Sequence, residues 1–406
     1  MNKTIWYITK YFSPQTKTSP GGRSWFLMYE LAQKGYKPIV ITSDSNNLVE
    51  LPLLDEPVKI QNVDGVTLIW LKTIKYSVAK SIMRVVSWLH FEWNVFKLNK
   101  RGIDKPSVIV ISSLSLLTIV NGLWLKHKYK CSLVLEVRDI WPLTIIEEGG
   151  FSKHNPLVKC LSLIERIGYV KADAIIGTMP NLSSHIYKTI GVNKSVHCIP
   201  MGVAQEHLNG EALLPLGYYQ KYLNSNKFKI VHAGTIGITN ALDTFFQAAL
   251  VLENNNEIEF ILVGDGALKQ YYIEKYGMLT NVIFAPKVAR NQVQSVLKEC
   301  DLVYFSVHNS RVWDYGQSLN KIVDYMLSGK PIVASYSGYP SMINEADCGS
   351  FVPAEDVDSL VIEFIKYSLL EPSVVGAIGK RGRDWILTNR SYTKLAEEFS
   401  EVVFNV

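Results

Sequence analysis

The residues best suited to chemistry lie between 315 and 335, in YGQSLNKIVDYMLSGKPIVAS. A loop containing Gly316 and Ser318 runs through Leu319 into an amphipathic segment. That segment carries Asn320, Lys321 and Asp324 among the apolar Ile322, Val323, Tyr325, Met326 and Leu327. A loop that opens a helix presents unpaired N–H groups and a partial positive charge, which attract a phosphate. A carboxylate on the first turns, among apolar neighbours, suits a vicinal diol such as that of a ribose. Phosphate and diol together describe a nucleotide-sugar site.

Three further loops follow strand-like runs. In His232-Ala233-Gly234-Thr235-Ile236-Gly237, the glycines Gly234 and Gly237 let backbone N–H groups approach a diphosphate, or simply make a tight strand-to-helix turn. Gly264-Asp265-Gly266 is expected to be a structural turn: Lys269 stands where the dinucleotide fingerprint needs its third glycine, which disfavours a nicotinamide enzyme. Gly21 and Gly22 let the first such loop pass close to phosphates, or serve as a flexible turn.

The run Glu136-Val137-Arg138-Asp139-Ile140-Trp141-Pro142 places three charges at a strand end. Buried strand ends rarely hold unpartnered charges, so this is either a site for sugar hydroxyls or an ion pair of Arg138 with Asp139 or Glu136. Asp356 and Asp358 have the spacing of a metal-binding acid pair but precede a helical pattern, where they read as N-cap and first-turn acids. No other His, Cys or carboxylate spacing asks for a metal, so none is expected.

Elements must position these groups, and the chain has 406 residues for them, too many for one core. Apolar strand-like runs alternate with helical patterns through the first half, and the pattern restarts after the polar stretch 205–227. That alternation predicts an α/β fold of two Rossmann-like, doubly wound parallel-sheet domains. The expected division is 1–205, 206–385 and a C-terminal helical segment, 386–406, that could return to the first domain. In such sheets ligands bind beyond the carboxyl ends of the strands, where the glycine loops fall.

The net charge of +5 is too mild and too dispersed for a nucleic-acid protein. One stretch, residues 72–105, interleaves Lys72, Lys75, Lys80, Arg84, Lys97, Lys100, Arg101 and Lys105 with Tyr76, Trp88, Phe91, Trp93 and Phe96. It reads as a surface for an anionic bilayer, or as an ordinary helix with a basic face. Five scattered cysteines suggest neither disulfides nor zinc, and the N-terminal run lacks the organisation of a signal peptide. A cytoplasmic protein is therefore expected, and the sequons at Asn2, Asn181, Asn193 and Asn389 read as chance matches.

Taken together, HAGTIG, VGDGALK, SLNKIVDYMLSGKPIVA and LEVRDIWP resemble the retaining family-4 glycosyltransferases of the GT-B fold. Within these, the chain is similar to the bacterial O-antigen and capsule branch that includes N-acetyl-L-fucosamine transferases. The resemblance implies a UDP-sugar donor on the second domain, and a lipid-linked (undecaprenyl diphosphate) saccharide acceptor on the first. It also implies a peripheral position on the inner face of the plasma membrane, and no cofactor or metal.

Carried over by residue, the family's ribose carboxylate falls on Asp324, and the uracil would lie near Val288 and Arg290. The family's first acid falls on Gly316, which hands the donor sugar to backbone N–H groups of 316–319 and to Ser318. Its Arg and Lys after the first glycine fall on Thr235 and Asn240, neither of them charged. Lys321 is then the first choice to meet the diphosphate charge and Arg290 the second. Asp139 is the candidate base or orienting acid, and Glu345 a weaker sugar contact. Two rivals stand beside this reading: a nucleotide-sugar epimerase of the same shape, and a non-catalytic membrane-associated scaffold.

Overall fold

Runs such as Ile5 to Ile8 and Val108 to Ile111 are almost completely buried, as continuous apolar strands covered on both faces must be. The computed structural model describes residues 3–16, 19–46, 51–77, 81–113, 115–208 and 212–406. Lys80 of the basic stretch and the sequon at Asn2 lie outside them. The chain forms two units, Met1–Pro200 with Tyr392–Val406, and Met201–Ser391. The first division falls at Pro200, ahead of the polar stretch.

The first unit is built on β1 (Thr4–Ile8), β2 (Lys37–Ser43), β3 (Val58–Val63), β4 (Val66–Leu71), β5 (Val108–Ser112), β6 (Ser132–Val137), β7 (Ala174–Gly177) and β8 (Val196–Cys198). Their order across the sheet is β3-β4-β2-β1-β5-β6-β7-β8. All neighbours are parallel except the edge pair β3 and β4. Composition offers no strong sign of β3, because this edge strand is half exposed and carries Lys59, Gln61 and Asn62.

The C-terminal segment is two helices, Pro372–Asn389 and Tyr392–Phe404, rather than one long one. The second packs on the Arg23–Gln33 helix of the first unit. Phe26 stacks on Tyr392 at 4.9 Å, Tyr36 stacks on Phe404 at 4.8 Å, and Lys34 pairs with Glu397 at 2.7 Å.

The same Arg23–Gln33 helix explains the charges on β6. Glu136 does not pair with Arg138. Its Oε1 accepts from the Arg23 guanidinium at 2.6 Å and its Oε2 from the Tyr7 hydroxyl, with both charged side chains fully buried. Arg23 also donates to the Ile199 and Pro200 carbonyls at 2.7 and 3.0 Å. One satisfied network thus ties β1, β6 and the chain after β8 to the first helix, as buried charge requires.

The second unit holds β9 (Phe228–Thr235), β10 (Ile258–Asp265), β11 (Val282–Ala285), β12 (Leu302–Ser306), β13 (Ile332–Ser335) and β14 (Gly349–Val352), ordered β11-β10-β9-β12-β13-β14. Every pairing is parallel, and one buried apolar cluster covers each face. On one side Phe245, Phe246 and Tyr272 dominate; on the other are Ile322, Tyr325 and Met326 of the Asn320–Leu327 helix.

Candidate active site

In the second unit the strand order reverses between β9 and β12. At such a switch point the crossovers leave to opposite faces and open a crevice at the carboxyl edge. Here β9 and β12 share only the pairs Ile230 with Leu302 and Val231 with Val303. Beyond them the backbone of Ala233 turns to a side chain. Its N–H donates to the Tyr325 hydroxyl at 3.0 Å, and that hydroxyl donates to its carbonyl at 3.0 Å. Tyr325 is fully buried, so the Asn320–Leu327 helix is clamped against the end of β9.

The clamp brings the two strongest sequence motifs together. Lys321 Nζ donates to Asn240 Oδ1, and Asn240 Nδ2 donates to the Thr235 carbonyl at 2.8 Å. Asn240, at the position where the family resemblance places a cation, thus links the glycine loop to Lys321. Burial lowers the Lys321 pKa to about 8. Gly234 and Thr235 are exposed, whereas Gly264 supports them from below. A Cβ at Gly264 would stand 1.9 Å from the Gly234 carbonyl oxygen, so the second glycine pair is a structural turn that lets the first loop pass.

The loop ahead of the helix is rich in polar atoms without protein partners. Gln317 Oε1 and Nε2 and Ser318 Oγ are buried and make no hydrogen bond among the described residues. Leu319 is the N-cap and supplies no side-chain cap, so the first N–H groups at Asn320 and Lys321 are not capped by it. Gly316 has φ of +99°, a conformation that a side chain resists, which accounts for glycine where the resemblance expects an acid.

His232 opens the glycine-loop motif, but the sequence reading gives it no role of its own. It is fully buried on β9, with Nδ1 3.3 Å from the Tyr304 carbonyl. Nδ1 is therefore the nitrogen that donates to Tyr304, while Nε2 makes no well-formed hydrogen bond among the described residues and the Thr235 backbone lies near the ring. A Cβ on Gly234 would come within 3.7 Å of Nε2, so this nitrogen faces the glycine loop. Burial, then the nearby Lys321 charge, push the His232 pKa down to about 3, which keeps the ring neutral. A polar residue within an apolar strand is the one available sign of it.

Asp324 and Arg290 were expected in separate roles, at the ribose and at the diphosphate or base. They form one unit instead. Arg290 grips both carboxylate oxygens, at 2.7 Å for Nη2 to Oδ1 and through Nη1 to Oδ2. Asp324 is buried and Arg290 is exposed in the turn Arg290–Gln292, two residues past the half-buried Val288. Glu345 lies apart in sequence, in the short helix Met342–Glu345. Asp356 is the N-cap of the Val357–Ser368 helix, accepting from the Ser359 N–H at 3.0 Å, and Asp358 is in its first turn. No cluster of metal-ligating side chains occurs among the described residues.

Gly21, Gly22 and Asp139 lie in the first unit. Gly21 has φ of +78°, and Gly22 is the N-cap of the Arg23–Gln33 helix, its N–H donating to the Ser13 carbonyl at 3.0 Å. Asp139 follows β6 and keeps access to solvent. The protein crowded around its carboxyl raises its pKa above the ordinary aspartate range, against the opposing pull of Arg138 and Arg84.

Residues 227–368 match the model of the family described as Glycosyl transferases group 1. In this segment the second unit is similar to the group 1 glycosyltransferases. This segment contains every second-unit residue of the site just described, and it makes the chain a glycosyltransferase. Similar solved structures share the fold over the whole length. Sucrose-phosphate synthase from Thermosynechococcus elongatus is 14% identical, with a TM-score of 0.72 and 98% of each chain covered. The E. coli trehalose-6-phosphate enzyme bound with UDP-2-fluoro glucose is 12% identical, with a TM-score of 0.73 and 99% of each covered. HepE from Anabaena, solved with UDP and glucose, is 14% identical, with a TM-score of 0.62 and 100% of each covered. At these identities the likeness is one of fold, and it gives this glycosyltransferase the GT-B architecture. No curated protein matches the sequence.

Proposed function

We propose that the protein transfers a sugar from a UDP-sugar to a lipid-linked saccharide in bacterial surface-polysaccharide synthesis, with retention. The sugar is N-acetyl-L-fucosamine or a related amino or deoxy sugar. The observation that carries the donor half is the set of unpartnered groups at the β9/β12 switch point: Gln317, Ser318, His232 Nε2 and the uncapped start of the Asn320–Leu327 helix, beside Lys321. N–H dipoles, one lysine and hydroxyl or amide donors are what a departing diphosphate needs. Solved proteins of the same fold hold UDP or a UDP-sugar.

The donor ribose is read by the Asp324–Arg290 pair. A carboxylate gripped at two positions still offers two lone pairs for the ribose hydroxyls. Asp324→Asn removes the charge that strengthens these bonds and loosens Arg290 as well. It is expected to raise the donor KM about tenfold, roughly the worth of one charge-assisted bond, with a smaller change in kcat. An unchanged KM places the ribose elsewhere. Diphosphate charge is met by the protein alone, so turnover in excess EDTA is expected to stay close to that without it, and complete loss would require a metal.

The acceptor half rests on the outer face of the Ile82–Lys97 helix. Ile82, Leu89, Trp93 and Phe96 are exposed there by 83, 56, 53 and 48%. Apolar residues at this spacing form one stripe. Lys97 lies 4.6 Å from the Trp93 ring, and Lys100 5.3 Å from that of Trp124. An apolar stripe edged by cations on aromatic rings suits an anionic bilayer surface. Among the described residues no helix is long and apolar enough to cross a membrane. Sedimentation with vesicles containing phosphatidylglycerol tests the stripe: Trp93→Ala/Phe96→Ala should weaken binding by about tenfold or more, and equal binding would show that the stripe does not contact the bilayer. The whole function is tested by transfer from a panel of UDP-sugars to a lipid-linked saccharide, with product stereochemistry read by NMR. Hydrolysis or epimerisation without acceptor-dependent transfer would overturn it.

A further inference from the structure

The first unit contains a cavity of about 700 Å³ that the donor chemistry does not use, between the edge strand β3, its neighbour β4 and the Ile82–Lys97 helix. Its walls include Leu54, Val58, Leu71, Ile74 and Leu98. That volume falls within the range of ligand pockets, and like them this one is mainly apolar with a few polar groups. Lys72, Lys75 and Lys97 stand among its lining, against the single acid Asp44. Asp44 is already paired with Lys75 at 2.8 Å. Lys72 and Lys97 have no carboxylate partner among the described residues; Lys72 Nζ donates to the Asp55 carbonyl, at 3.1 Å.

Lys97 also links the cavity to the exposed stripe. Its ammonium lies over Trp93 of the exposed stripe while its side chain lines the cavity. His90, Asn94 and Lys97 line the cavity, and Leu89, Trp93 and Phe96 face outward one residue before each of them. Adjacent positions on a helix differ by about 100°, so the two rows are neighbouring faces of one helix. An apolar chain lying along the stripe is therefore one helix face away from an apolar cavity edged by cations that lack a carboxylate.

We infer that this cavity takes the isoprenoid chain of the acceptor, with the chain's phosphate between Lys72 and Lys97. The inference rests on the lipid-linked acceptor proposed above and deepens it: a site on the first unit that recognises a long-chain lipid phosphate, apart from the bilayer that the stripe contacts. The occupant is an isoprenoid phosphate rather than a bilayer phospholipid, because Lys72 lines the cavity from the chain after β4 and not from the helix that carries the stripe.

Titration calorimetry on the full chain tests it, with farnesyl phosphate below its micellar concentration, farnesol, and dihexanoyl phosphatidylglycerol as separate ligands, and UDP as the control for folding. Farnesyl phosphate is expected to bind about tenfold more tightly than either other lipid, or better. Val58→Trp, which fills the cavity from the half-exposed edge strand, should abolish that binding and leave UDP affinity unchanged. Lys72→Gln/Lys97→Gln should cost about tenfold for farnesyl phosphate and nothing for farnesol. The inference is overturned if farnesyl phosphate does not bind, if Val58→Trp binds it as the wild type does, or if phosphatidylglycerol binds as well. Should those results come from protein that still transfers sugar to a lipid-linked saccharide, the cavity assignment falls and the proposed function stands. Binding of farnesyl phosphate without any such transfer would leave the cavity assignment and remove the function.

Discussion

Lys321→Ala is expected to lower kcat by roughly 100- to 1,000-fold, the cost typical of losing one preorganised donor at a site of developing negative charge. The helix that carries it is held by Tyr325 and by apolar packing of Ile322 and Met326, none of which depends on Lys321. Its melting temperature should therefore hold or rise, since the variant no longer shelters a buried ammonium. Lys321→Ala should weaken UDP far more than uridine, because only the former presents a diphosphate. With a pKa lowered to about 8 by burial, Lys321 is a cation below that pH and loses its charge above it, so kcat should fall as pH rises through about 8. The same shift makes the folded chain bind fewer protons than the unfolded one between about 8 and the ordinary lysine range near 10.4, so Lys321 adds stability as pH rises through that window. Activity and this contribution to stability thus run in opposite directions. Wild-type turnover in Lys321→Ala would take the residue out of the phosphate role.

The largest effect on stability is expected in the first unit, at Glu136. Breaking a fully buried ion pair by removing one partner costs about 3–5 kcal/mol, because the remaining charge is stranded. Glu136→Ala leaves Arg23 buried with only carbonyl partners, and should lower the first unit's melting temperature by about 10 °C, at roughly 2–4 °C per kcal/mol for a unit of this size. Arg23→Met/Glu136→Leu should recover most of the loss, since no charge is left behind. Burial alone would raise the Glu136 pKa, but Arg23, Arg138 and the hydrogen bonds to Tyr7 and Arg23 hold it below the usual carboxylate range. Stability from this pair is therefore present above the ordinary glutamate pKa and is lost as pH falls through the lowered one. A Glu136→Ala variant within about 1 kcal/mol of wild type, the cost of an exposed pair, would show that the network is not what holds β1, β6 and the first helix together.

What the sequence could reveal followed from burial. Parallel strands covered on both faces are unbroken apolar runs, so the second unit's six strands could be read from their composition, and β3, polar and at an edge, could not. The segment around Asn320, Lys321 and Asp324 was legible because loop, helix and strand are contiguous there. Its partners were not. Arg290 meets Asp324 across 34 residues, Lys321 meets Asn240 across 81, and Arg23 meets Glu136 across 113. Charge type alone suggested Arg138 for Glu136, and only the fold shows that the first helix delivers a better-placed guanidinium. His232 gains no role from the sequence because on β9 it sits where the apolar run would place one more core residue.

Arg290 illustrates the same limit for function. As a lone cation it was a candidate for the diphosphate; bound to Asp324, its charge is largely balanced by a neighbouring carboxylate. That leaves Lys321 as the cation at the end of the glycine loop, and it places the weight of diphosphate recognition on backbone N–H groups, Ser318 and Gln317. A site built mainly from dipoles binds with little salt dependence, in contrast to one built from exposed ions.

The most direct measurement is a crystal structure of the protein with UDP. The diphosphate is expected at the start of the Asn320–Leu327 helix, within hydrogen-bond reach of Ser318 and Lys321, with the ribose hydroxyls on Asp324. Well-ordered nucleotide bound away from all three residues would contradict a donor site at this switch point.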